Sequence, residues 1–135
     1  EPRNVGALDQ NIDFATVSTD AGCIARANLL RIALLRHFAD GTYAHSADDD
    51  TATALITAPA ATDVATCTTL QLDLKAALTS HLQTLAGHAS LPATVTVPAI
   101  VPGDAATNIT SMNEMLGLYK RHIYAAGEQL VLGTS

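Results

Sequence analysis

Apolar residues along this chain fall into three patterns typical of amphipathic helices, each about two to three heptads long. The second pattern is the clearest, because its apolar side chains recur at steps of three and four residues and so line one helix face. That face carries Leu70, Leu74, Ala77, Leu78, His81, Leu82 and Leu85. Similar patterns predict helices over residues of about 21–39 and about 105–126. The chain is therefore predicted to be mainly α-helical and to fold as a small helical bundle.

The three helical patterns are degenerate copies of one unit. A shift of 44 residues places Cys23 on Cys67 and His37 on His81. A further shift of 41 residues places His81 on His122. Internal repetition of this kind predicts a stack of repeats with one continuous core. The predicted organisation is an N-terminal arm over residues 1–17 and a single domain over residues 18–135, with three helical repeats over about 18–62, 63–103 and 104–135.

An aspartate stands at the start of each helical pattern. Asp20, Asp63 and Asp104 can each accept hydrogen bonds from backbone N–H groups of the first turn and complement the helix dipole. Gly41 and Gly87 follow the first two patterns at a similar distance, as C-terminal glycines do. We expect these residues to mark the helix ends.

The connectors between the helices are rich in Thr, Ala, Val and Pro. Residues 56–59 resemble residues 95–98, and both stretches favour extended backbone; the same composition also fits short edge strands. A connector of about 15 residues spans roughly 50 Å when extended, more than the roughly 30 Å of a 20-residue helix. The connectors are therefore long enough to return along the bundle, which favours a parallel or crossover arrangement of the helices.

The helix arrangement decides what the two cysteines can do. In parallel helices Cys23 and Cys67 lie side by side, whereas in antiparallel helices they exceed the roughly 7 Å limit between bridged Cα atoms. A disulfide closing this loop would contribute about 4 kcal/mol in the chain-entropy treatment and would imply oxidising surroundings. The alternative is a pair of small buried thiols produced by duplication, with Asn108 at the third position.

Three histidines at equivalent repeat positions are the candidate metal ligands. His37, His81 and His122 lie near the ends of the three helices, on or beside the apolar face. In a parallel bundle their imidazoles would converge and could bind Zn²⁺ or Ni²⁺, since three such ligands suffice for an open site. The alternative is a packing role, because a histidine in the last turn interacts favourably with the helix dipole. His45 and His88 have no third counterpart and are interpreted as packing or surface residues.

Other motifs indicate little chemistry. Residues 48–50 are a run of aspartates without the spacing of an EF-hand, which favours a solvated turn over a Ca²⁺ site. Residues 108–110 fit the N-glycosylation sequon but fall inside a predicted helix. The chain has no nucleophile elbow, Walker loop, Cys-x-x-Cys or His-Glu-x-x-His motif. The sequence therefore predicts no enzyme activity and no cofactor.

Composition and charge narrow the class of partner. The formal net charge of the 135 residues is −6, which disfavours nucleic acid and anionic membranes as partners. No apolar run approaches the roughly 18 residues that a membrane-spanning helix requires. Hydrophobic residues make up 48% of the chain, but many are alanine and only 4% of residues are aromatic. Small side chains bury little surface each, so stability should depend on contacts between repeats or between subunits.

The second repeat resembles a repeat found in structural proteins of tailed phages and prophages. Residues 61–66 are similar to its Ala-Thr-Asp-Leu-Ala start, and residues 74–82 to its Leu-Lys-x-x-aromatic-Asn-x-His motif. The aromatic-Asn pair of that motif is Leu78-Thr79 here, and only Tyr119 keeps the aromatic residue. The first repeat matches through Leu30, Leu34, His37, His45 and Asp48 to Asp50.

This resemblance implies a non-enzymatic structural protein of a virion, such as a head decoration, neck or tail component. Its partners would be copies of itself or other virion proteins, and its location a virion or a similar extracellular assembly. The arm, Glu1 to Val17, and the tail, Leu130 to Ser135, are the predicted contact segments, because termini without a core of their own often dock elsewhere. Two alternatives stay open: a small binding module that holds a metal through the equivalent histidines, and a secreted surface or filament subunit.

Overall fold

Four α-helices make up most of the computed structural model, which describes residues 15–39, 50–84 and 101–127. The helices are α1 (Asp20–Ala39), α2 (Asp50–Ala54), α3 (Val64–Thr84) and α4 (Ala105–Gly127). The three long helices confirm the predicted, mainly α-helical bundle. Strands are absent from the described parts of the connectors, and the short helix α2 was not predicted. None of the described helices is long and apolar enough to cross a membrane.

The helices α1, α3 and α4 run parallel and in register. Near their first turns, the Sγ atoms of Cys23 and Cys67 lie 4.0 Å apart. Near their last turns, Nε2 of His37 lies 3.1 Å from Nε2 of His81 and 3.0 Å from Nε2 of His122. Equivalent residues therefore meet at both ends of the bundle, which requires parallel helices. The parallel arrangement predicted from connector length is confirmed.

The core is built of layers to which each long helix contributes one side chain. The inward positions alternate at steps of four and three residues, which is the heptad spacing of a parallel coiled coil. All of these side chains are buried except that of His37, which is half-buried. In order along the bundle, the five layers are Cys23, Cys67 and Asn108; Ala27, Gln71 and Met112; Leu30, Leu74 and Met115; Leu34, Leu78 and Tyr119; and His37, His81 and His122.

Reciprocal hydrogen bonds between an aspartate and a threonine begin α3 and α4. The Thr66 N–H donates to Asp63 Oδ1 over 2.8 Å, and the Asp63 N–H donates to Thr66 Oγ1 over 3.0 Å. Asp104 and Thr107 form the same pair, with both distances 2.9 Å. These are capping boxes in which threonine takes the place of glutamate. The hydrogen bonds from the threonines hold the pKa of both carboxyl groups below its ordinary value.

The cap of α1 is Thr19, which corrects the prediction of Asp20. Thr19 Oγ1 accepts a hydrogen bond from the Gly22 N–H over 3.0 Å, and Asp20 is the first residue of the helix. The repeat offset explains the difference, because it places Thr19 opposite Asp63. Asp20 still lies in the first turn, where its charge complements the helix dipole.

Side chains of α1 and α3 fasten the end of the first connector to the bundle. Asp73 Oδ2 accepts hydrogen bonds from the backbone N–H groups of Thr57 (3.1 Å) and Ala58 (2.8 Å). Arg31 Nε donates to the Ala58 carbonyl over 3.1 Å. Residues 57 and 58, near the end of this connector, therefore lie against α1 and α3, whose side chains satisfy these backbone polar groups.

Two asparagines clamp the backbone that leads into the neighbouring repeat. Asn28 Nδ2 donates to the Ala61 carbonyl over 3.0 Å, and Asn28 Oδ1 accepts from the Ala61 N–H over 2.7 Å. Asn113 makes the same two bonds with Val17, over 3.1 and 2.7 Å. Val17 and Ala61 are both buried. The first repeat thus fixes the start of the second, and the third fixes the start of the first.

The remaining joint of this ring has no such clamp. At the position of the clamping asparagine the second repeat has Leu72, which is 49% exposed. At the position of the clamped residue the third repeat has Pro102, which has no N–H group to donate. Both halves of the clamp are therefore missing between α3 and α4.

The predicted terminal segments fall largely outside the described residues. Of the arm, the structure describes residues 15–17, and there Val17 is buried against the bundle. The tail, residues 130–135, lies outside the described part of the chain. The arm and the tail therefore stay predicted contact segments.

Replacing Asn28 with alanine should lower the free energy of unfolding by about 1–3 kcal/mol, because the buried Ala61 N–H and C=O groups both lose their partner. Urea denaturation of the metal-free protein measures this. Leu72→Ala is the matched control, since it changes the equivalent but exposed position and should stay within about 0.5 kcal/mol. Equal losses in both variants would contradict a clamping role for Asn28.

Candidate metal centre

Three imidazoles converge on one point at the C-terminal end of the bundle. The Nε2 atoms of His81 and His122 lie 3.0 Å apart, and that of His37 lies 3.1 and 3.0 Å from them. His81 and His122 are buried, and His37 is half-buried. Among the described residues, this is the only group of three His, Cys, Asp or Glu side chains close enough to share a metal ion. The structure therefore brings together all three of the predicted ligands.

Aromatic packing holds the rings in this orientation. Each imidazole stands nearly perpendicular to the next, with interplanar angles of 82°, 88° and 89°. Tyr119 packs edge-on against His37 at 5.9 Å between ring centroids, and Phe38 lies against His81 at 4.8 Å. The three imidazole rings therefore stand around the bundle axis with their Nε2 atoms turned inward. Tyr119 and Phe38 preorganise the site by holding the rings in this orientation.

Hydrogen bonding alone cannot satisfy this triangle of nitrogens. Each neutral Nε2 is either a donor or an acceptor, depending on the tautomer. A hydrogen bond needs one donor and one acceptor. Because each of the three nitrogens has one of only two roles, at least two of them must have the same role. At least one of the three contacts therefore joins two lone pairs or two N–H groups at about 3 Å. A cation at the centre removes this conflict, because all three nitrogens then present lone pairs to it.

The spacing suits a transition-metal ion. Zinc–imidazole bonds are about 2.0–2.1 Å long. Nitrogens 3.0–3.1 Å apart are therefore close enough for His37, His81 and His122 to hold one such ion together. Imidazole nitrogens suit zinc, copper, nickel and iron rather than calcium or magnesium.

A second polar cluster lies at the opposite end of the bundle. Cys23 and Cys67 are thiols whose Sγ atoms are 4.0 Å apart, compared with about 2.05 Å in a disulfide. Gln71 Nε2 donates to both sulfurs, over 3.3 and 3.5 Å. The hydrogen bond between the thiols, together with burial, raises the pKa of Cys23. The pairing of the two cysteines across parallel helices is as predicted, and the disulfide itself stays a prediction.

Sequence reasoning missed Gln71 and its partner Ser111. Gln71 is fully buried and also donates to the Asn108 carbonyl over 3.1 Å, while Ser111 Oγ donates to Gln71 Oε1. The available signal was the repeat offset, which places Gln71 in a layer with Ala27 and Met112. Because the equivalent positions of the other two repeats are apolar, the offset indicates that Gln71 is a polar residue in the core.

Asn108 fastens α4 to α3 where the asparagine clamp is missing. Its Nδ2 donates to the Val64 carbonyl over 3.3 Å and to Thr68 Oγ1 over 2.9 Å. Its Oδ1 accepts from the Gly103 N–H over 3.0 Å. Because Asn108 is only 2% exposed within α4, its amide has no room for a glycan, which confirms the objection to the sequon.

Of the remaining candidate residues, the structure describes only Asp50. His45, His88, Asp48 and Asp49 lie outside the described residues. Asp50 is the first residue of α2 and is exposed. The solvated turn predicted for the aspartate run therefore stays a prediction.

In metal-free protein, His81→Leu should leave the free energy of unfolding unchanged or raise it by up to about 2 kcal/mol, because it removes one member of a triangle that hydrogen bonds cannot satisfy. Chemical denaturation in the presence of a chelator measures this. Gln71→Leu is the control: it removes a buried side chain whose hydrogen bonds are satisfied and should cost about 1–3 kcal/mol. A loss above about 1 kcal/mol for His81→Leu would indicate an ordinary satisfied core histidine.

Comparisons with models of protein families, with curated proteins and with solved structures gave no match. The resemblance to phage structural repeats therefore stays a prediction from the sequence motif.

Proposed function

We propose that this chain is a non-enzymatic helical module that binds one divalent transition-metal ion through His37, His81 and His122. The observation that carries the proposal is the triangle of Nε2 atoms 3.0–3.1 Å apart. Among three neutral imidazoles in that arrangement, at least one Nε2–Nε2 contact joins two lone pairs or two N–H groups. A central cation removes this repulsion, because each Nε2 lone pair then binds the cation. The sequence alternative of a metal-holding binding module is thus the function that the geometry supports best.

The ion would be a structural metal ion that links the three long helices. Each ligand comes from a different long helix, and each lies near the C-terminal end of that helix. The capping bonds and asparagine clamps that the structure describes hold the opposite, N-terminal end of the bundle. A metal bound by all three helices couples its binding free energy directly to folding.

Adding Zn²⁺ or Ni²⁺ to the chelator-treated protein should give one bound ion per chain and a higher thermal midpoint. A ligand that binds only the folded state stabilises it by about 2.7 kcal/mol at a concentration of 100 times its Kd. Isothermal titration calorimetry gives the stoichiometry, and thermal denaturation gives the shift. His81→Leu should weaken binding at least about 100-fold, since two imidazoles remain.

His45→Ala is the matched control, because it removes a histidine of the chain that is not among the three ligands. Its affinity for Zn²⁺ should equal that of the unsubstituted protein. Binding should weaken as the pH falls below about 6.5, the ordinary pKa range of imidazole, because protons compete with the metal for the nitrogens. Equal Zn²⁺ affinities in the unsubstituted protein and His81→Leu would overturn the proposal.

We also propose a structural role for the module in a virion or a similar multi-copy assembly, as the phage resemblance implies. One feature of the surface favours it. Leu29 and Ile32 are exposed by 36% and 41% on the outer side of α1, and residues three apart on a helix are neighbours. Exposed apolar side chains that adjoin are typical of protein contact sites. Copies of the chain or other proteins of the assembly would cover this pair.

Sedimentation velocity of the metal-loaded protein tests self-assembly. We expect a discrete species well above the 14.0 kDa of one chain, and its dissociation by Ile32→Glu, which places a charge in the contact. Leu72→Glu is the control, since Leu72 is also an exposed leucine but lies on α3. A monomer at all concentrations, with or without metal, would rule out contacts between copies through α1.

A further inference from the structure

The end of the bundle opposite the histidines has a small cavity that reaches the two cysteines. It has room for about one water-sized sphere, with a volume of about 10 Å³. The first turns of all three long helices surround it. Its lining residues are Asp20, Cys23, Ile24, Val64, Cys67, Ala105 and Asn108. Cys23 and Cys67 are 2% and 1% exposed, and the cavity lies against both residues.

Two features around the sulfurs favour their anionic form, whereas the Asn108 carbonyl, which accepts a hydrogen bond from Cys23 Sγ over 3.4 Å, favours the Cys23 thiol. Cys23 and Cys67 each lie in the first turn of a helix, where the dipole stabilises a thiolate. Gln71 Nε2 donates a hydrogen bond to both sulfurs, and amide donors of this kind stabilise negative sulfur. These contacts suit thiolate ligands.

One cation between the sulfurs would reduce the negative charge of two adjacent thiolates. Two adjacent thiolates would carry a charge of −2 in a buried site, which is strongly unfavourable. Asp20 also lines the cavity, and its carboxylate would add to the negative charge beside two thiolates. One monovalent cation bound to both thiolates reduces their charge to −1, and three helix N-termini favour that remaining charge.

We propose that Cys23 and Cys67 form a second metal site, which binds one soft monovalent ion of the Cu(I) class between two thiolates. Thiolate ligands select soft ions. Sulfurs 4.0 Å apart on neighbouring helices are close enough for both cysteines to hold one such ion. On binding, each thiol releases its proton to solvent and forms one metal–sulfur bond; no electron is transferred.

The ligand set separates this site from the histidine site. A structural zinc site uses four nitrogen or sulfur ligands, whereas the described residues offer two sulfurs here. The cysteines also lie fourteen residues before their helix histidines, which is about 21 Å along a helix. The bundle would thus hold a soft ion at one end and a divalent ion at the other. The histidine site and the cysteine site can therefore be tested independently.

Titration of the full-length protein with Ag⁺ tests the proposal, since Ag⁺ is a redox-stable ion of the same class. The protein is reduced, freed of reductant and chelator, and kept under nitrogen in chloride-free buffer. We expect one Ag⁺ per chain, loss of both thiols to a thiol reagent in step with binding, and a higher thermal midpoint. Cys67→Ser and Cys23→Ser should each weaken Ag⁺ binding at least about 100-fold.

His81→Leu is the control variant and should bind Ag⁺ at the cysteines as the unsubstituted protein does. Circular dichroism shows whether each variant folds, and Cys67→Ala replaces Cys67→Ser if the buried hydroxyl prevents folding. The proposal is overturned if the cysteine variants bind Ag⁺ with unchanged affinity, or if both thiols stay reactive in the presence of one equivalent of Ag⁺. A Cys23–Cys67 disulfide in protein purified under nitrogen would overturn it as well.

Discussion

Parallel, in-register packing of α1, α3 and α4 is the constraint on which the structure depends. Because equivalent residues of three repeats face one another across the axis, one residue type at one repeat position becomes a complete layer. His37, His81 and His122 meet for this reason, and so do Cys23 and Cys67. In an antiparallel bundle the same residues would lie about a helix length apart and would have no common chemistry. The long connectors make the arrangement possible, since short turns would force neighbouring helices to alternate in direction.

Much of this arrangement could be predicted from the sequence, because repeat offsets and heptad spacing are periodic signals. The offsets identified both polar clusters, and connector length predicted the direction of the helices. What periodicity could not supply was the choice of partners. Gln71 and the asparagine clamps bond backbone or sulfur atoms of other repeats, and such contacts depend on the three-dimensional packing rather than on spacing along the chain.

The repeats differ at every core layer except the last. Two apolar layers each combine two leucines with a methionine or a tyrosine, which the core tolerates because volume and apolarity are preserved. A third layer combines alanine and methionine with the buried Gln71. The cysteine layer has two sulfurs and an amide. The histidine layer alone has the same side chain from all three helices. A packing role could be met by one or two imidazoles with apolar neighbours, as in the other layers, whereas a shared ion is a reason for all three.

Asn108 links the two irregularities of this otherwise threefold bundle. Between α3 and α4, Leu72 and Pro102 stand at the positions of the clamp residues, so this joint, the seam of the three-helix ring, has no asparagine clamp. Asn108 closes the seam by bonding the Val64 carbonyl and Thr68, and it occupies the place where a third cysteine would stand. One substitution therefore has two effects: the side chain that secures the joint without a clamp also limits the opposite end of the molecule to two sulfurs. The loss of symmetry at this joint thus leaves two thiols and one amide facing the axis.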